Sequence, residues 1–296
     1  MDRKFILSCE STVDLPYSYV AGRDIPVLFY EYSVGDKKYV DDMGRDPDAL
    51  PNFYAMLDNG ALPVTTQVNP QKYLEYFESV TRRGDVLHIA FSSGLSGSVN
   101  SAFIAAEMFR EQHPDRRLSI IDSTCASSGY GLLVDMAADM RDSGNTLDEV
   151  ESRVMSVKDR IQHQFFTTDM KFFRRSGRVS GATATIATIL NICPLMRIDL
   201  SGSINAYSKT RGRKNAIAET IREMKNHAEN GTDYSGKCFI SHSNCLASAE
   251  ETRDAIYETF PNLRDKVVIC DIGTIIASHC GPGTVAVYFV GDRRIP

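Results

Sequence analysis

Short apolar blocks, most of them running into Ser- or Gly-rich turns, alternate along this chain with stretches whose apolar residues recur every three or four positions. The first pattern suits strands and the second helices. Phe5–Cys9 reads as an opening strand, and Pro26–Tyr32 and Lys38–Val40 flank Gly35-Asp36 as a hairpin or tight excursion. Val86–Phe91 and Leu118–Asp122 are further strands, and between them Val99, Phe103, Ala106 and Phe109 keep helical spacing. Strand, helix, strand in that order predicts parallel pairing with a right-handed crossover.

The second half repeats this grammar. Gln164–Thr168 predicts a strand, followed by the basic segment Arg174-Arg175-Ser176-Gly177-Arg178. Ala182–Leu190 is small and β-branched and reads as a buried helix, although Thr and Ile are weak helix formers. Ser201-Gly202 is a turn before a short strand at Ile204–Tyr207. Lys237–His242, a helix from about Ala247 to Phe260, and Lys266–Asp271 form another βα unit, and Thr284–Val290 is a last apolar strand. The amphipathic stretch Leu147–Ile161 places a boundary near residue 160, giving domains 1–160 and 161–296. No Pro- or Ser-rich linker separates them, which predicts two firmly packed α/β halves.

One loop carries most of the candidate chemistry. Phe91-Ser92-Ser93-Gly94-Leu95-Ser96-Gly97-Ser98 sits directly behind an apolar strand and ahead of a helix. In an open α/β sheet that is where ligands bind, and a helix N-terminus favours an anion. The loop has no P-loop lysine and no dinucleotide glycine spacing. It therefore suits a small anionic head group held by hydroxyls.

Composition narrows the class. The 296 residues are 43% hydrophobic and 24% charged, as in an ordinary soluble globular protein. A net charge of −5 argues against nucleic-acid binding, and no apolar run reaches the roughly 20 residues that span a bilayer. The apolar stretch Phe5–Cys9 is too short for a signal peptide core. The cysteines number seven, with no CxxC pair, which fits a reducing cytoplasm and suggests neither a disulfide framework nor a metal site.

Several motifs in order resemble those of the DegV family. They are Ser11-Thr12-Val13-Asp14-Leu15-Pro16, Thr65-Thr66-Gln67, the Ser92–Ser98 loop, Ile121-Asp122-Ser123, Arg175-Ser176-Gly177-Arg178, Arg211-Gly212-Arg213-Lys214 and Gly281-Pro282-Gly283. The resemblance implies a two-domain α/β fold. Its N-terminal domain would have a mainly parallel Rossmann-like sheet, its C-terminal domain a mixed sheet, with a lipid tunnel between them. Family members with a known role resemble the fatty-acid-binding subunit of bacterial fatty acid kinase. The implied function is to bind a long-chain fatty acid and present its carboxylate to an ATP-dependent kinase subunit for acyl-phosphate formation feeding phospholipid synthesis. Such a protein is a carrier with no catalytic residue and no cofactor. An acyltransferase recipient and transient membrane-surface contact also belong to that picture.

The residues suit this implication. Burying about fifteen methylenes at about 0.8 kcal/mol each supplies on the order of 12 kcal/mol before ordering costs, so the tail dominates affinity. The carboxylate needs several donors. Hydroxyls of Thr65, Thr66, Ser92 and Ser93 are the candidates, and the resemblance adds His279. Alone, Thr65-Thr66-Gln67 reads as a loop, and His88, His113, His163, His227 and His242 read as structural or solvated. Arg175, Arg178, Arg211 and Arg213 are candidates for a phosphate or the partner, against the plainer reading of a solvated basic face.

Three departures bear on the details. Glu10 stands where the family motif usually opens with Asp, Val68-Asn69-Pro70 replaces the more common Pro-Ser-Pro, and Cys280 replaces Thr beside His279. The competing class is an enzyme, a serine-dependent acyl hydrolase or acyltransferase. It would use Ser93 or Ser96 with His279 as base and Asp122 as orienter, and Ser93-Gly94-Leu95-Ser96-Gly97 is read as placing Ser96 in the spacing of a nucleophile elbow after a strand.

Overall fold

A computed structural model describes residues 5–180 and 191–296. The expected helix at Ala182–Leu190 lies outside the described residues. The first half contains β1 (Ile6–Glu10), α1 (Tyr17–Gly22), β2 (Val27–Leu28), β3 (Glu31–Val34), β4 (Lys37–Val40), α2 (Ala49–Asp58), β5 (Val64–Thr65), α3 (Pro70–Thr81), β6 (Val86–Ala90), α4 (Ser98–Gln112), β7 (Leu118–Asp122), α5 (Ser127–Asp142) and α6 (Leu147–Val157). The second half contains β8 (Ile161–Thr167), α7 (Lys171–Ser176), β9 (Val179–Ser180), β10 (Ile192–Ile198), β11 (Ile204–Arg211), α8 (Arg213–His227), β12 (Cys238–His242), α9 (Leu246–Thr259), β13 (Val267–Asp271), α10 (Thr274–Cys280) and β14 (Thr284–Val290).

The strands at Val86–Phe91 and Leu118–Asp122 pair in parallel as predicted, whereas the expected Pro26–Tyr32 strand divides into β2, which joins the parallel sheet, and β3, which makes the hairpin. β2-β1-β6-β7 form a parallel sheet, with Ile6 opposite Val86 and Val86 opposite Leu118. β1 and β6 are buried along their whole length, which is why they read as continuous apolar runs. β3 and β4 make the expected hairpin around Gly35-Asp36, in a small antiparallel sheet of order β4-β3-β5. Two further expectations need correction. Thr65 is not in a free loop, because β5 pairs with β3 at Tyr32 opposite Thr65. Phe103 does not join the buried face of α4, where Val99, Ala102, Ala105, Ala106 and Phe109 are buried and Phe103 is 41% exposed. The alanines let α4 close on its neighbours, and the large ring is left at the edge.

The second half builds a seven-stranded mixed sheet, β13-β12-β14-β8-β10-β11-β9. Among the described residues, only β12–β13 and β11–β9 pair in parallel there. The strands of the parallel and hairpin sheets all precede residue 161, and those of the mixed sheet all follow it. The halves interlock through α5, which belongs to the first half and packs on β8, β12 and β14 of the second. One continuous apolar cluster runs through both. The carboxyl ends of β1 and β6 thus open toward the face of the mixed sheet, with α10 alongside.

Candidate functional site

A cavity of about 390 Å³ lies at that junction, within the range of about 300–1,000 Å³ usual for small-ligand sites. Its mouth is polar and its walls are apolar. Thr65 and Thr66 enter from the end of β5, Ser93 to Gly97 from the loop after β6, and His279 from the last turn of α10. The apolar wall of α10 follows from sequence spacing. Ile275, Ile276 and His279 stand at i, i+1 and i+4 on α10 and, with Ile272 just before the helix, all face the cavity.

α10 is held from outside by two buried carboxylates. Asp14 accepts from the Gly273 N–H at 2.9 Å, and Asp41 accepts from the Thr274 N–H at 3.2 Å and its hydroxyl at 3.1 Å. Burial pushes both carboxyls up, Asp41 to about 6 and Asp14 well above its usual range. The Asp14-containing motif therefore serves the site by fixing the helix that carries His279.

His279 Nε2 and Thr65 Oγ1 are 2.8 Å apart. This pair joins the hairpin sheet of the first half to the second half, across 214 positions of sequence. Desolvation first, then the nearby Arg178 and Arg175 charges, lower the His279 imidazole to about 4, so it is neutral at pH 7. Ser93 is exposed at the mouth, where it lines the cavity, and its N–H donates to Asp122 Oδ1 at 3.2 Å.

The adjacent Ser92 is different. It is fully buried, its hydroxyl donates to the Gly202 carbonyl at 2.8 Å and accepts from the Gly94 N–H at 3.1 Å, and it does not line the cavity. Ser92 was expected at the head group; the structure places it in the seam between the two loops. That seam is tight. A Cβ on Gly94 would lie 2.5 Å from the Gly202 carbonyl carbon, so only glycine permits the approach.

The four arginines stand in four settings. Arg178 lines the cavity, whereas Arg175 is exposed and donates to the Pro63 carbonyl, tying α7 to the segment before Thr65. Arg213, on α8, pairs with Glu251 at 2.8 Å and Ser248 at 3.2 Å. Arg211 is exposed at the end of β11, outside the cavity lining. The four do not converge on one point.

The three departures each have a structural account. Glu10 is buried, accepting from the Phe91 N–H at 2.9 Å and from the Tyr73 hydroxyl, so its carboxylate anchors the start of the serine loop. Asn69 caps α3 by accepting from Lys72 N–H at 2.9 Å, with Pro70 at the first helical position. Cys280 is buried and its thiol is pushed up to about 12 by desolvation, which leaves it a wall residue rather than a nucleophile.

The serine-enzyme constellation is not assembled. Asp122 spends Oδ1 on the Ser93 and Thr124 N–H groups and does not orient His279. The Ser96 hydroxyl donates to the Ser98 hydroxyl at 3.0 Å and accepts from the Ser98 N–H at 3.2 Å, a turn just ahead of α4.

Sequence reasoning missed several lining groups, including Thr12, Tyr30, Gln67, His163 and Tyr288. His163, read as structural, does bond two backbone groups, but its ring also faces the cavity. The alternation Thr284, Ala286, Tyr288 along β14 carried a legible signal, since all three share one strand face.

The model of the family described as "Uncharacterised protein, DegV family" matches residues 4–292. A DegV domain-containing protein of Clostridium perfringens is 36% identical over 296 residues, covering 99% of this chain and 100% of that relative. The DegV domain-containing protein YteA of Lactococcus lactis is 31% identical over 290 residues, 98% of each chain. Among solved structures, a DegV lipid binding protein from Thermotoga maritima superposes with a TM-score of 0.84 at 24% identity, over 98% of this chain and 99% of that one. The fatty acid kinase (Fak) B3 protein of Streptococcus pneumoniae, loaded with linoleic acid, superposes at 0.82 with 22% identity, over 98% and 100%.

Proposed function

The chain belongs to the DegV family, and from that premise we propose that it binds a long-chain fatty acid in the cavity between residues 1–160 and 161–296 and presents the carboxylate to an ATP-dependent kinase subunit. The observation that carries this reading is the join of the Thr65–His279 pair to an isoleucine-lined bore within one cavity. A carboxylate needs donors and an acyl chain needs apolar walls, and the two kinds of surface follow each other here. With Nε2–H of neutral His279 donating to Thr65 Oγ1, the threonine proton is free for the ligand carboxylate. Ser93 and Thr66 add donors at the mouth, and Arg178 supplies positive potential there.

In this reading the protein performs no chemistry on the acid. The partner brings the phosphate donor, the acyl phosphate passes toward phospholipid synthesis through an acyltransferase, and loading takes place by transient contact with a membrane surface. The exposed arginines Arg175, Arg211 and Arg213 serve docking of the partner. Among the described residues no helix is long and apolar enough to cross a membrane. Solved structures similar to this chain support the ligand class, among them a fatty-acid-binding DegV family protein from Thermus thermophilus and a stearic-acid-binding protein from Eubacterium ventriosum.

Native mass spectrometry of freshly purified protein tests the proposal. The expected result is one fatty acid per chain, lost on Thr65→Ala/His279→Ala double substitution. Protein that carries and takes up no fatty acid, yet turns over acyl esters in a Ser93-dependent way, would overturn it.

A further inference from the structure

The end of the cavity away from the loops is built from strand rows. Thr284, Ala286 and Tyr288 point to the same face of β14 and each lines the cavity. On β8 their partners are in register, Thr167 opposite Thr284, Phe165 opposite Ala286 and His163 opposite Tyr288. Thr284 directly follows the turn that leaves α10 beyond His279. Each two-residue step down β14 therefore leads away from the head-group clamp, and Tyr288 stands about 13 Å below Thr284.

At that depth the way is closed. The His163 and Tyr288 rings meet edge to face with centroids 5.3 Å apart. The backbone of α5 rests on both, since a Cβ on Gly129 would run into His163 Nε2 and lie 2.6 Å from Tyr288 Cδ1. Both rings are tied at their polar atoms. His163 accepts from the Ala126 N–H at 3.2 Å and donates to the Ile161 carbonyl at 2.9 Å. The Tyr288 hydroxyl pairs with Ser241 at 2.8 Å, and Ser241 with Ser127 at 3.1 Å. Neither ring can swing aside without leaving a buried polar group unpaired. One step nearer the mouth, Ala286 contributes only a methyl group and leaves the bore open.

We propose that Tyr288 and His163 form the chain-length stop of this cavity, the terminal methyl of the acyl chain abutting their rings while Ala286 keeps the bore clear above them. This rests on the fatty-acid reading of the same cavity. It makes the permitted chain length a property of one row of the mixed sheet, independent of the head-group clamp.

The test is competitive binding of a homologous series of saturated fatty acids to the wild-type protein and to Tyr288→Leu, Tyr288→Phe and Ala286→Leu, with chain lengths of the co-purified acids read by mass spectrometry. Tyr288→Leu should raise the longest tightly held acid by about two to three methylenes, each newly buried one gaining about fourfold in affinity. Ala286→Leu should move the cutoff to shorter acids, and Tyr288→Phe should leave it in place. An unchanged cutoff in both leucine variants, with binding retained, overturns the stop. If Tyr288→Leu does not fold, an unchanged cutoff in Ala286→Leu overturns it alone. A wild-type protein that binds no member of the series overturns the underlying fatty-acid reading itself.

Discussion

At the mouth of the cavity the polar groups come from a strand end, a loop and a helix end, Thr65 at the end of β5, Ser93 after β6 and His279 in the last turn of α10. At the far end the lining comes from alternate positions of β8 and β14, set by strand register. The mouth is thus assembled from parts hundreds of residues apart and held by a few contacts, whereas the far end is held by a continuous ladder. Head-group chemistry depends on those few contacts and should be fragile; the far end should tolerate change as long as the ladder is intact.

The largest expected effect comes from forcing the loop seam apart. Gly94→Val places a side chain where the Gly202 backbone already sits. It should cost about 3 kcal/mol in chemical denaturation and abolish ligand retention. Retained stability with retained ligand would show that the seam does not hold the mouth together.

The neighbouring serines sharpen the contrast. Ser92→Ala strands the Gly202 carbonyl and the Gly94 N–H, and should lower stability by about 1–2 kcal/mol. Ser93 is exposed, so Ser93→Ala should leave stability within about 0.5 kcal/mol of wild type while weakening fatty-acid binding. Equal effects of the two on stability would contradict the placement.

The imidazoles at the two ends give a pH test. Desolvation lowers His163 to about 3 and His279 to about 4 in the folded chain, against about 6.5 when unfolded. Between about pH 6.5 and 4 the unfolded chain binds the extra protons, so stability falls as pH drops through that window, by about 1.4 kcal/mol per pH unit for each imidazole. Asp41, raised to about 6, works in the opposite direction, and comparison with a variant cancels it. His163→Gln should flatten the decline of Tm between pH 6 and 5 relative to wild type; parallel curves would mean that His163 is not held neutral.

The smallest effect lies outside both ends. Arg213 is exposed and paired with Glu251, so Arg213→Ala should change stability by less than about 0.5 kcal/mol. If Arg213 serves partner docking, acyl-phosphate formation in the presence of the kinase subunit should fall nonetheless, with fatty-acid affinity unchanged.

Much of this arrangement was legible from local pattern. The parallel pairing of β6 and β7, the β3–β4 hairpin and the βα unit at Cys238–Asp271 follow from periodicity and turn residues, because each is a short-range consequence of the chain. The motif resemblance likewise led to Thr65, Ser93 and His279, which the fold gathers at one mouth. What pattern could not tell apart were Ser92 and Ser93, two identical side chains in one loop. Burial against Gly202, which arrives from 110 residues away, makes one a seam and leaves the other free.

By itself the amino-acid sequence determined the βαβ run from β6 to β7, the β3–β4 hairpin and the βα unit at Cys238–Asp271. Periodicity is local, and so is the chemistry of a residue type. Only the tertiary structure decided that β5 would bring Thr65 within 2.8 Å of His279, that α5 would seat Gly129 on the His163 and Tyr288 rings, and that Arg211 and Arg213 would lie outside the cavity lining. Those outcomes depend on long-range pairing and on which groups lose water, and neither is written in any single stretch of the chain.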